Sequence, residues 1–120
     1  MSFKSLEVSI DHHIAHVKLN RPNELNSMNT DFWKELPVAI NEINQQAEAR
    51  VIVISSTGKH FSAGMDLAVF TTPSSIPMNG DPARMAENLR RAVLQLQQAF
   101  NVLEEARIPV LVAIQGGCIG

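Results

Sequence analysis

The stretch VIVISSTGKHFSAGMDL, residues 51–67, carries two signals in series. Val51-Ile52-Val53-Ile54 is apolar and β-branched at every position, as in a parallel sheet whose strands are covered on both faces. Past its carboxyl end comes a loop of small residues around Ala63-Gly64. At that edge of an α/β sheet, loops and helix N-termini present unpaired backbone N–H groups, and ligands bind there. The fold class is therefore read as α/β.

Working outward, the upstream segment places Phe32, Leu36, Ala39, Ile40 and Ile43 at helical spacing, with Asn29 as the capping residue. Pro37 interrupts this pattern, so either the helix kinks there or its first turns form a separate short helix. Further back, Leu6–Ile10 and Ile14–Leu19 alternate polar and apolar residues around Asp11-His12-His13, which reads as a β-hairpin. The histidines His12, His13 and His16 lack a completing ligand, and a turn and strand-surface role fits them better than metal binding.

Downstream, residues 71–80 (TTPSSIPMNG) read as a mobile loop. Asp81 and Pro82 then open a long helix in which Met85, Leu89, Val93, Leu96, Phe100 and Leu103 form one apolar stripe, expected to be core. After Pro109, the run Val110–Ile114 repeats the buried-strand signature and leads into Gly116, Gly117 and Gly120.

Composition narrows the function. Among 120 residues, 45% are hydrophobic and 18% charged, which suits a soluble packed domain. The net charge of -2 with no basic run argues against nucleic acid as a partner. No apolar run reaches the ~18 residues of a membrane span, and the first residues lack secretory or transit character. The lone Cys118 forms no internal disulfide, so a reducing, cytoplasmic setting is expected.

Two glycine loops beyond neighbouring strand ends could aim two N–H groups at one oxygen, the arrangement that stabilises an oxyanion or enolate. Plain glycine turns fit the same spacing. Competing motifs fail: Cys118 stands where a dinucleotide fingerprint needs glycine, and Thr57-Gly58-Lys59-His60 lacks the first glycine and the Ser or Thr of a phosphate loop. His60 is a minor candidate for a general base. Cys118 is expected to be a small buried residue rather than a nucleophile.

Asn20-Arg21-Pro22 with Leu25-Asn26-Ser27-Met28-Asn29, then Gly58 to Leu67, then Ile108-Pro109-Val110 leading to Gln115 to Gly120, resemble the crotonase superfamily of enoyl-CoA hydratases and isomerases. Phe32-Trp33 and Gly116 to Gly120 look most like its dienoyl-CoA isomerase branch, which moves a 3,5-diene to the 2,4 position. The resemblance implies a spiral of ββα units, incomplete over residues 1–120, that assembles as a homo-trimer or hexamer. It implies an acyl-CoA thioester as substrate, with coenzyme A part of that substrate, and no metal or further cofactor. By the same resemblance, the Met65 backbone N–H is the first oxyanion donor and Gly120 begins the second oxyanion loop. Asn23, Leu25, Asn26 and Ser27, with Ala63, Gly64, Asp66 and Leu67, border the coenzyme A moiety, and Asp66 is a capping residue rather than a base. The family's acid and base carboxylates have no counterpart here, so this chain alone is expected to be inactive. The alternative expectation is a non-catalytic acyl-CoA binder or assembly fragment.

Overall fold

The hairpin turn falls at His12-His13, and both residues take positive φ, 50° and 64°, as a two-residue type I′ turn demands. It joins β1 (Leu6–Asp11) to β2 (Ile14–Leu19) in an antiparallel pair. The computed structural model describes residues 2–71 and 80–120. In it the chain continues through a 3-10 turn (Pro22–Glu24), α1 (Thr30–Gln46), β3 (Val51–Ser56), the short α2 (Ala68–Thr71), α3 (Pro82–Glu105) and β4 (Val110–Val112). The four strands form one mixed sheet in chain order, with β2, β3 and β4 parallel. The expected α/β class is what the structure shows, and β1, β2 and α1 make its first ββα unit. The mobile-loop reading of 71–80 falls mainly on residues 72–79, which lie outside the described residues.

Register explains the core. Ala15 pairs with Ile52, Val17 with Ile54, and Ile52 and Ile54 with Val110 and Val112. Residues side by side on neighbouring strands point to the same face. That face is closed by Phe32, Leu36, Ala39, Ile40 and Ile43 of α1 and by Val102 of α3. Burying each large aliphatic side chain contributes roughly 1.5–3 kcal/mol.

Here two expectations need correction. The sheet is covered on one face only: Ile52 and Ile54 are buried, whereas Val53 is half-buried and Leu111 is 58% exposed. An all-apolar strand says that both faces suit burial, but the described helices α1 and α3 supply cover from one side. The stripe of α3 is likewise not core. Only Ala99 and Val102 of that helix are buried, and Leu89, Val93 and Phe100 are exposed. A 24-residue helix is about 36 Å long, more than the sheet beneath it can cover.

Local signals fared better. The Asn29 side chain accepts from the Phe32 N–H at 3.0 Å, and the Asp81 side chain from the Arg84 N–H at 2.9 Å. Helix α1 runs through Pro37 as one element. The missing N–H leaves the Trp33 carbonyl without its helical donor, while buried residues before and after Pro37 hold both halves on the sheet.

Glu35 of α1 ties the start of β1 to this layer. One carboxylate oxygen takes the Lys4 N–H at 2.8 Å; the other takes the Ser5 N–H at 2.8 Å and the Ser5 hydroxyl at 2.5 Å. Burial pushes the Glu35 pKa up, but the Ser5 hydroxyl, the two N–H groups and Lys4 outweigh it, so the net direction is down. A depressed carboxylate stabilises the fold above its unfolded pKa, and that contribution is lost as pH falls through the folded value. Glu35→Gln should therefore lower unfolding free energy by about 1–3 kcal/mol at pH 7. In urea titrations the gap should close as pH falls below about 4.3; a gap independent of pH would refute the assignment.

Candidate functional site

Beyond β3 the chain runs against two loops at once. On one side, residues 25–28 and 63–66 are zipped by backbone bonds: Ala63 N–H to Leu25 O at 2.9 Å, Met28 N–H to Gly64 O at 2.8 Å, and Asp66 N–H to Met28 O at 3.0 Å. On the other, Ser62 N–H bonds Gly117 O at 3.2 Å and Ile119 N–H bonds Ser62 O at 3.0 Å. The two glycine loops beyond β3 and β4 thus lie against each other in the structure.

Met65 lies between two residues committed to Met28. In such a parallel bridge the N–H groups of successive residues point to opposite sides. Among the described residues the Met65 N–H donates to no group, and the side it faces is opposite Met28. Gly64, at φ 93°, is the hinge of this arrangement. A Cβ there would sit 2.5 Å from the Gly120 carbonyl oxygen and 2.9 Å from that of Ile119. Only glycine lets these two backbones meet.

Asn26 rivets the assembly. It is 3% exposed and takes a left-handed φ of 54°, a conformation that asparagine tolerates. Its side-chain oxygen accepts from the Arg21 N–H at 2.8 Å, and its amide nitrogen donates to Thr57 O at 2.6 Å and His60 O at 3.1 Å. Its own carbonyl accepts the Ser62 hydroxyl at 2.9 Å, and that hydroxyl oxygen accepts the Gly64 N–H at 3.0 Å. Every polar atom of this side chain thus serves the loop interior.

The remaining residues named from the sequence sit on the same two segments. Ser27 donates to Asp66 at 3.1 Å, and Arg21 binds the Ser27 carbonyl at 2.7 Å and faces Asp66 at 3.7 Å. The Ala68 N–H first, then Ser27 and Arg21, hold the Asp66 carboxyl below its usual range against the opposing effect of burial. It stays an ionised acceptor at neutral pH. Asn23, Leu25 and Leu67 are exposed, Ala63 is half-buried, and Gly64 is buried.

His60 accepts the Gly117 N–H on Nδ1 at 2.8 Å. In the neutral ring this places the proton on Nε2, so His60 holds the second glycine loop. Cys118, expected to be buried, is exposed; the short backbone bridge to Ser62 fixes its main chain without covering its side chain. Three contributors went unread in the sequence: Arg21, Ser62 and Trp33, whose indole N–H donates to Met28 O at 3.1 Å. All three lie within motifs that carry the family resemblance, but nothing in the sequence shows which backbone atoms their side chains bond. An apolar hollow of about 290 Å³ adjoins the junction, lined in part by Leu19, Phe32, Ile54, Phe61, Phe100 and Gly120. Among the described residues no helix is long and apolar enough to cross a membrane, and no three His, Cys, Asp or Glu side chains gather as a metal site.

The family model described as enoyl-CoA hydratase/isomerase matches residues 9–120. The chain is 43% identical over 120 residues to the mitochondrial Delta(3,5)-Delta(2,4)-dienoyl-CoA isomerase of Homo sapiens, covering 99% of this chain and 37% of the relative. It is 38% identical to the peroxisomal enzyme of that name from Arabidopsis thaliana, again over 99% of this chain and 44% of the relative. In structure it matches an enoyl-CoA hydratase/carnithine racemase from Magnetospirillum magneticum with a TM-score of 0.81 and 27% identity, over 99% of this chain and 42% of that one. The chain thus spans well under half the length of these relatives. Their mitochondrial and peroxisomal names overturn the cytoplasmic expectation. An unpaired cysteine speaks only to disulfide chemistry and does not separate one compartment from another.

The Asn26 rivet is directly testable. Asn26→Ala should destabilise the fold by on the order of 3 kcal/mol in denaturant unfolding, because it orphans buried partners and strains a left-handed backbone. The isosteric Asn26→Asp should cost at least as much, since it turns an acceptor toward the Thr57 and His60 carbonyls. If Asp restored stability to near wild type, the amide would not be the rivet.

Proposed function

Because this chain belongs to the enoyl-CoA hydratase/isomerase family, we propose that its Met65 N–H binds the carbonyl oxygen of an acyl-CoA thioester as the first donor of an oxyanion hole. The observation that carries this is an uncommitted N–H between two committed ones, beside the Gly120 backbone. The Gly120 loop begins the second donor. Asn23, Leu25, Asn26 and Ser27, with Ala63, Gly64, Asp66 and Leu67, form the border of the coenzyme A site. In this border the exposed members touch ligand and Asn26 shapes the wall. The adjoining apolar hollow supports a hydrocarbon tail on that ligand.

The reaction is the isomerisation of a 3,5-dienoyl-CoA to the 2,4 isomer, supported by the names of the relatives. A base removes a proton from C2, the electron pair delocalises onto the thioester oxygen held by Met65, and a proton returns at C6 as the double bonds shift. Hydrogen bonds aimed at that oxygen stabilise the enolate-like state without reorganisation. The base is not Asp66, whose oxygens are engaged by Ala68, Ser27 and Arg21. Residues 72–79, TPSSIPMN, contain no carboxylate. Within residues 58–67 the engaged Asp66 is the sole carboxylate, which favours a second reading, in which these residues bind acyl-CoA without turnover.

Met65→Pro deletes the N–H and leaves the Met28 bridge its bonds. In a longer protein that carries these residues together with the base, it should cut turnover of a 3,5-dienoyl-CoA, followed by absorbance of the conjugated 2,4-diene, by about 10²–10³-fold. Met65→Ala, which keeps the N–H, should leave turnover nearly unchanged. Equal turnover by the proline variant would remove Met65 from the site. Thioester binding with no turnover of dienoyl- or enoyl-CoA, even in a longer protein that carries these residues together with a free carboxylate base, would favour the binder.

Assembly belongs to the same reading. Leu89, Val93, Leu94 and Phe100 of α3 and Leu111, Val112 and Ile114 at β4 expose apolar surface of a kind that promotes association. Light scattering of the purified chain should show a homo-oligomer, a trimer or hexamer, or larger association; a monodisperse monomer would contradict it.

A further inference from the structure

We propose that the Trp33 indole N–H, by fixing the Met28 carbonyl, positions the Met65 N–H toward a thioester oxygen. Trp33 is on this account a positioning residue, and the inference rests on the thioester reading above.

Met28 is the residue against which Met65 is aligned. Its N–H donates to Gly64 O at 2.8 Å and its carbonyl accepts the Asp66 N–H at 3.0 Å, so it holds both neighbours of Met65. The same carbonyl accepts the Trp33 indole N–H at 3.1 Å. A carbonyl oxygen has two lone pairs, and both are used here. The Met28 peptide plane is therefore fixed from the Met65 segment and from α1 together.

The indole itself has little freedom. It packs edge-on against Phe32 at 5.5 Å and 78°, and against Phe100 of α3 at 5.2 Å and 82°. The Trp33 backbone N–H is bonded to Asn29 O at 3.2 Å, inside the first turn of α1, whose cap is the Asn29 side chain. A half-buried indole needs some acceptor for its N–H. A purely structural tryptophan could use any carbonyl in reach, whereas this one bonds the atom that sets the direction of the segment carrying Met65. Without it, the Met28 carbonyl keeps one bond and can tilt. A misplacement of about 1 Å in such a site can cost 10²-fold.

The test compares two ligands that differ at one oxygen: butanoyl-CoA, a thioester, and S-butyl-CoA, a thioether without the carbonyl. Calorimetry on the wild type should show a preference for the thioester. In Trp33→Phe, which keeps a ring between Phe32 and Phe100 but deletes the N–H, that preference should fall roughly tenfold through the loosened donor. Affinity for the thioether should stay the same. A role confined to packing would instead weaken both ligands together. Full thioester preference in Trp33→Phe overturns the inference. Absence of any preference in the wild type overturns the thioester reading itself, a separate and recognisable result. Should Trp33→Phe fail to fold, replacing the indole by its 3-benzothienylalanine isostere, which exchanges N–H for sulfur, decides the same question by the same two outcomes.

Discussion

The bonds of Asn26 are the constraint on which the rest of this structure depends. Neither the segment after β2 nor the one after β3 is part of the sheet, so nothing in the strand ladder fixes one against the other. Beside the backbone bonds between residues 25–28 and 63–66, one buried amide joins them, reaching Arg21 on its own loop and Thr57 and His60 on the other. Burying an amide without partners costs several kcal/mol, and satisfying all its atoms turns the same group into a specific fastener. Two αL residues in succession, Leu25 and Asn26, bend the backbone so that this side chain points inward. The strain of the turn is thereby offset by bonds that no other loop geometry would make.

From that rivet the direction of the Met65 N–H follows by alternation. Once residues 25–28 run beside 63–66, the bonds of Ala63, Gly64 and Asp66 are committed, and the intervening Met65 N–H must face away from Met28. A donor held this way costs nothing to reorient when charge develops on its acceptor. The Met65 side chain plays no part in setting that direction, which the backbone fixes. Gly64 is different in kind: its missing Cβ is what admits the Ile119–Gly120 backbone. The site is specified by one residue that must be glycine and one that must be asparagine, flanking a position tolerant of change.

What was legible in the sequence was local. The hairpin, both helix caps and the strand ends come from interactions within a few residues, and Asn29, Asp81 and Pro82 occupy the positions their side chains dictate. The match of three ordered motifs also placed the chain in its family. Burial was less legible, because periodicity says which face of α3 or β4 is apolar and not whether anything covers it. Val93 and Leu111 look like core and are exposed. The work of Asn26, Ser62 and Trp33 was invisible for the same reason: each bonds backbone atoms of another segment, and a backbone acceptor leaves no trace in sequence. Trp33 in particular read only, together with Phe32, as a mark of a family branch.

His60 shows how partner choice settles a role that residue type leaves open. Beside a glycine loop, an imidazole has the chemistry of a base near neutral pH. Its Nδ1 accepts the Gly117 N–H, and its backbone carbonyl accepts from Asn26, so the ring and main chain of one residue connect the rivet to the second glycine loop. Gly116 permits that approach: at φ 60° it presents its backbone to the Lys59 carbonyl and the His60 ring where a side chain would collide. Drawing a proton onto Nδ1 would first require breaking the bond that holds Gly117 in place. A base acting at this point would therefore loosen the second glycine loop, which the Gly117 bond holds.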